Sequence, residues 1–508
     1  MTGMRYGRPL FAGLIVFALA VIYFAAGMGH PAAAAHQAAQ FAQSGRTAVS
    51  TAVRVCPAAG SGAPTGGSVA LAAMPASAGA GSAVITRLTP GGSSTAGPVV
   101  ATDTSPGILQ VSGVKAAPPL TKAEQAGEPG SSPNVSTSPG RGGLQVNASG
   151  AMAQGLQVEQ TGAGGLVTAQ CSAPGTSFWF VGPGQASAST IELYLANTGS
   201  QAADAQVSVL TDVTKGPPLL GNADNGITVP PHSMVVQSLG RLLQSSKVMA
   251  LNVTTSVGQV VAAVRETKSA ADAGSWLAPT RAPARHLVIP GMPQSTGFRD
   301  LYIAVPGTAA AQVKITAVTA KGSYQPTGGT GIELLGGSAV SIALPSLGGV
   351  AGAISISSNV PVTATMLVPG GAAGTPGVLA VSNGPILEQG VLADNPAKSA
   401  GKTALVLSAP MKAATVRITT ATNSAGAAAP AKIVQIGAGS SVVVPVAPPS
   451  GSKVTNFAII VTPVGGGPVY AGRIISSRGT VQSVLAVPSS PTWIPLPGVT
   501  ESLSAVLP

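Results

Sequence analysis

The side chains that most often carry chemistry are scarce in this sequence. Four histidines stand at His30, His36, His232 and His286, with fifteen acidic residues and two cysteines in 508 residues. No two histidines have the spacing of metal ligands, and no cysteine or acidic cluster accompanies them. His232 follows Pro230-Pro231 in an expected turn, and His286 begins an expected strand. A nucleophilic serine on a G-x-S-x-G elbow is absent. So is a glycine-rich phosphate loop. Paired carboxylates could serve a glycosidase. However, Asp204, Asp212 and Asp224 fall on hairpin and loop positions, where turn roles are commoner. The expectation is no catalytic residue, no metal, no cofactor and no enzyme, with a wall hydrolase as the enzymatic alternative.

Two features remain. Cys56 and Cys171 are an even pair, which outside the cytoplasm suggests a disulfide. Closing a loop of that length is worth about 4–5 kcal/mol in the chain-entropy model. Two free buried thiols are the alternative. Phe178-Trp179-Phe180 and the isolated Trp276 are candidates for glycan stacking, since an indole face matches the C–H face of a sugar. A tryptophan plugging a β-sandwich core is the favoured reading of both.

Elements must position these residues, and composition says which. Hydrophobic residues make up 45% of the chain, aromatics 3% and charged residues 8%. Ala, Gly, Ser, Thr, Val and Pro take the place of charge. That mixture disfavours helices and suits short strands with tight turns. The net charge is +11. Its basic residues read as scattered, without the stripe that nucleic-acid binding requires. At the N-terminus, Arg5 and Arg8 precede an uncharged run from Leu10 to Met28. Nineteen helical residues span roughly 28 Å, enough for a bilayer core. The flanking arginines keep the N-terminus inside and the body outside. A signal peptide cleaved near Ala33-Ala34-Ala35 is the alternative and leaves the body secreted.

The body repeats itself. Alternating apolar runs joined by small or Pro-containing turns begin at Ile191, Asp300 and Ala404. Middle elements follow at Gly226, Gly331 and Val434, and closing ones at Ala250, Ala353 and Ala458. Read as three hairpins per repeat, six or seven strands in about 90 residues predict tandem immunoglobulin-like β-sandwiches after one transmembrane helix. A propeller is the runner-up. A weaker fourth copy starts at Ser68. The expected division is anchor or signal 1–28, spacer 29–48, an interrupted sandwich 49–177, and sandwiches 178–283, 284–400 and 401–508. A Pro/Gly/Ser-rich insertion near 114–143 is expected to be disordered.

The stretches CSAPGTSFWFVGPG from Cys171, GITVPP from Gly226, SWLAP from Ser275, LVIPGMP from Leu287 and PVGGGPVYAGR from Pro463 resemble an uncharacterised family of actinobacterial envelope proteins, domain of unknown function 5719. The resemblance implies an extracytoplasmic body behind one N-terminal hydrophobic segment, and it carries no site residues. The expected function is therefore non-catalytic: a membrane-tethered envelope protein presenting a surface to wall polymers or other envelope proteins. The alternative is a carbohydrate-binding array in polysaccharide or wall assembly, using Trp179 and Trp276.

Overall fold

The computed structural model describes residues 45–496, apart from 58–67, 77–78, 90–91, 96–99, 105–109, 116–141, 162–167, 188–189, 213–218, 221–225, 241, 244, 268–274, 295–296, 370–376, 398–400, 423–429 and 450–455. The apolar run Leu10–Met28, most of the spacer, His30, His36, Asp224 and the body of the insertion lie outside the described residues. Among those described, no helix is long and apolar enough to cross a membrane. Two units are distinguished. One contains the short pair Arg46–Ala48 and Trp493–Pro495, antiparallel to each other. The other, Val49–Thr492, is all β apart from short 3-10 turns.

This larger unit contains four sandwiches with one strand order. In the second, eight strands set the order, Ser177–Pro183, Thr190–Asn197, Ala203–Thr211, Ile227–Val229, Ser233–Ser238, Val248–Val257, Val261–Thr267 and Ser275–Leu277, and a short extra strand, Leu219–Leu220, pairs with the third. The first, sixth, third and fourth share one sheet, and the fifth, second, seventh and eighth share the other. The first sandwich, from Thr51–Cys56 to Thr168–Gln170, and the fourth, from Gly390–Pro396 to Thr480–Ala486, repeat this order. In the third, the sixth and seventh strands fuse into Gly352–Val368, which joins both sheets. The strand Gly390–Pro396 pairs with Asn456–Gly466 and so belongs to the fourth sandwich, although it precedes residue 401.

The expected hairpins are not hairpins. Thr190–Asn197 and Ala203–Thr211 lie in opposite sheets, as do the strands of the middle and closing pairs, except that the closing pair of the third copy is the single strand Gly352–Val368 passing from one sheet to the other. Each connection is an arch across the core. Alternation identifies the inward residues, but it does not say whether the next strand lies beside or across. The inward positions follow the pattern: Leu193, Leu195 and Val209 meet in the second core, with Val207 packed against it. Leu301, Ile303, Val313 and Ile315 meet in the third. Leu405, Leu407, Val416 and Ile418 meet in the fourth. The strand order also departs from the immunoglobulin arrangement, which pairs strands F and G in one sheet. Here the seventh strand crosses to the sheet of the second, and the first strand takes its place beside the sixth.

The middle arch is built the same way three times. His232, Gly337 and Gly439 have φ of 48°, 70° and 66°. The serine after each donates to a carbonyl three residues back: Ser233 to Pro230 at 2.8 Å, Ser338 to Leu335 at 2.6 Å, Ser440 to Gly437 at 2.7 Å. His232 therefore occupies a left-handed turn position that glycine fills in the other two copies.

Each sandwich is also closed along one edge by a backbone bridge between the first strand and the residues after the eighth: Val55–Ser172, Trp179–Thr280, Val288–Asn383 and Gly390–Ser489. In the first sandwich the disulfide Cys56–Cys171 reinforces this edge, with Cα atoms 4.3 Å apart and both residues in the core.

The outer faces are apolar too. The second-strand sheet of one sandwich seats on the first-strand sheet of the one before. Tyr194, Met234 and Val236 pack on Val55 and Leu88. Tyr302, Ala304 and Ala339 pack on Val181, Leu210 and Ala250, and Tyr470 packs on Val288, Val318 and Ala353. Finally Ala70 and Ala72 of the first sandwich pack on Val391, Ala393, Ala458 and Ile460 of the fourth. The four sandwiches thus form a closed cycle of seams. Cyclic closure is the one propeller-like feature. Each repeat builds two sheets around its own core, whereas a propeller blade is a single sheet.

Candidate functional site

The strongest concentration of ionisable chemistry lies in the seam between the first and fourth sandwiches. Glu159 sits on Gln157–Thr161, between the inward residues Val158 and Gln160, so its side chain leaves the first sandwich through the outer face. Across the seam, Gly390–Pro396 pairs with Asn456–Gly466 except at a register shift between Leu392 and Asn395. Such a bulge releases backbone groups from the ladder. The freed N–H groups of Ala393 and Asp394 donate to the two Glu159 oxygens at 3.2 and 3.3 Å. Asn395 mends the other side, its amide donating to Leu392 O and Phe457 O at 3.2 and 2.9 Å.

Through the bulge comes Arg473, on Tyr470–Ser477. It faces Leu405 across the sheet, as Val264 faces Leu193 in the second sandwich. A core position has thus been given to a long cation. Its Nη1 donates to Glu159 Oε2 at 2.8 Å, Asp394 O at 2.6 Å and Asn395 Oδ1 at 3.3 Å. Both side chains of the pair are fully buried. Arg473 Nε and Nη2 find no acceptor among the described residues. Asp394 accepts from the Thr161 hydroxyl and, at 3.2 Å, from Asn456.

Burial pushes the Glu159 carboxyl above the ordinary carboxylate range. Arg473 opposes this, and the nearby Asp394 adds to it. Two carboxylates and a cation stand together, but Glu159 and Arg473 are sealed from solvent, so neither reaches a substrate or an attacking water. What the cluster does is bind one sandwich to another. Sequence reasoning missed it because Glu159 and Arg473 are 314 residues apart. The one available signal was an arginine among apolar strand residues in PVYAGRII.

The residues singled out from sequence go elsewhere. Trp179 is half-buried in the seam between the second and third sandwiches. Trp276 is half-buried between the first and second, edge-to-face with Tyr194 at 5.0 Å between centroids. They lie on opposite outer faces of one sandwich and do not converge. Asp204 accepts from Thr228, and Asp212 accepts from the N–H groups of Lys247 and Val248, which are turn and strand-end roles. His286 is exposed on the strand Ala284–Met292. Among the described residues no group of three or more His, Cys, Asp or Glu could hold a metal ion.

Two glycines of the sequence motifs, Gly291 and Gly472, explain themselves at a seam. A Cβ on Gly472 would lie 2.4 Å from the Cα of Gly291, and both flank the contact of the third and fourth sandwiches. Only backbone fits there. A family model described as a family of unknown function, DUF5719, matches residues 125–447. The match takes in the motifs from Cys171 to Pro293 and ends before Pro463–Arg473. No curated protein matches the chain.

Proposed function

The chain belongs to the DUF5719 family, and from that premise we propose that it is a non-catalytic, membrane-tethered structural protein of the cell envelope. Its body stands outside the membrane and holds partners by surface contact. The observation that carries this reading is the use made of its buried chemistry. The ion pair, the disulfide and the glycine pair Gly291–Gly472 all join sheets or sandwiches, and all are buried. Rigidity of that kind suits a support. The extracytoplasmic placement is supported by the disulfide, which persists in oxidising compartments. It is supported also by the charge asymmetry around the run Leu10–Met28.

Protease added to intact protoplasts tests the placement: the body should be degraded while a short N-terminal fragment stays with the membrane. Full protection would refute it. Incubating the purified chain with peptidoglycan, polysaccharide and simple esters tests the rest. Turnover that vanishes on replacing one acidic residue would overturn the non-catalytic reading.

A further inference from the structure

The four sandwiches differ in surface charge. Residues 390–492 hold eight Lys and Arg and one acidic residue, Asp394; of the eight, Arg473 is buried against Glu159 and adds nothing to the surface. Asp394 is occupied by Thr161 and Asn456. Lys402, Lys412, Arg417, Lys432 and Arg478 are exposed; Lys412 adjoins Met411 and Arg417 pairs with Thr462 near Val464, whereas Lys402 and Arg478 stand at the other end of their strands.

The same sandwich exposes large apolar side chains at one end. Leu387 is 76% exposed, Met411 65% and Val464 44%. Backbone bonds place them together: Gly467 donates to Ala413 beside Met411, and Ile386 donates to Val469 beside Leu387. Val464 stands on the strand leading into Gly467. The body also begins here. Val49 donates to Thr492 O, and Thr492 in turn donates twice to Glu388, the neighbour of Leu387. Only twenty residues separate Met28 from Val49.

We propose that this end of the fourth sandwich is a docking surface for an anionic lipid bilayer, so that the body lies against the membrane that its N-terminal segment enters. The inference rests on the membrane-tethered reading above. The exposed cations Lys412 and Arg417 attract acidic headgroups, and the apolar side chains they flank enter the interface. A polar wall polyanion would use the cations but would leave Leu387 and Met411 without a partner.

The test uses full-length protein in proteoliposomes. Both native cysteines are bonded, so single cysteines at Leu387→Cys, Met411→Cys and, as a control at the opposite end of the same sandwich, Lys402→Cys can carry a fluorophore, with a nitroxide lipid as quencher. In vesicles containing phosphatidylglycerol, quenching at 387 and 411 should exceed that at 402 severalfold. It should fall to the control level in phosphatidylcholine alone, and in a background of Val464→Ser with Lys412→Ser. Equal quenching at the three sites overturns the proposal. So does quenching at 387 and 411 that persists undiminished in phosphatidylcholine, or that soluble polyphosphate abolishes while the protein stays vesicle-bound. Flotation with vesicles but no quenching sinks the docking alone. Failure to float in either lipid sinks the anchored reading and the docking together.

Discussion

Consider replacing Arg473 by Met. The change keeps most of the side-chain volume but removes the cation from a site where Glu159 is fully buried. The carboxylate keeps two backbone donors, from Ala393 and Asp394, and loses its only counter-charge within hydrogen-bond distance among the described residues. Breaking a buried ion pair from one side costs about 3–5 kcal/mol, mostly the desolvation of the charge left behind. Part of that is relieved if Glu159 takes up a proton, which its raised pKa favours. The expected loss for Arg473→Met is therefore about 3 kcal/mol near neutral pH, smaller in acid. Glu159→Gln should lose a similar amount, because the guanidinium is then the uncompensated charge. The double variant should recover at least half of the summed loss. Urea unfolding followed by circular dichroism gives the double-mutant cycle. Single-variant losses below about 1 kcal/mol, or additive losses, would show that the pair does not hold the seam, and the account of closure given above would be wrong.

Alkali should open the seams. Burial pushes the phenol of Tyr194 from its usual value of 10 to about 12, and raises Tyr302 and Tyr470 as well. A raised folded-state pKa means stability that is full below pH 10 and is lost as pH rises through the folded value. Two units amount to about 3 kcal/mol for Tyr194, so Tyr194→Phe should flatten the stability loss above pH 10; an unchanged profile refutes this. At the middle arch, His232→Gly should change stability by less than about 0.5 kcal/mol. Gly439→Ala should cost about 1–2 kcal/mol for its left-handed backbone, and thermal melts that reverse this order would refute the shared turn. Val209→Asp, Ile315→Asp or Ile418→Asp should each prevent folding of its own sandwich by burying an unpaired carboxylate. The same change at Ser208, Lys314 or Arg417 should be tolerated; proteolysis of the variants decides it.

Strand content and the inward faces were legible because side chains alternate with period two. Leu193, Leu195, Ile303 and Ile418 could be named from that alone. What the alternation hid was the partner of each strand, since an arch and a hairpin share one pattern. A signal for the seams was present in runs such as LYIAV from Leu301 and ALVLSA from Ala404. These have almost no polar alternates, and near-continuous apolar strands mean burial on both faces. An isolated sandwich would have shown charge at Tyr302 and Val406. The Glu159–Arg473 cluster was illegible, because its members come from different sandwiches and meet at a backbone bulge that no residue type announces.

The cycle has a consequence for how the protein is made. Its last seam joins the first sandwich to the fourth, and the Val49 amide finds its acceptor at Thr492. During synthesis or export the first sandwich must therefore wait, with Ala70, Ala72 and Glu159 uncovered, until more than three hundred further residues have emerged and folded. Contacts of that separation form slowly. In the interval, the free face of one nascent chain matches the free face of any other chain's fourth sandwich as well as its own. Head-to-tail contacts that fail to close within a chain propagate between chains. Crowded expression should thus yield open chains of exchanged protomers, and dilute refolding the closed monomer.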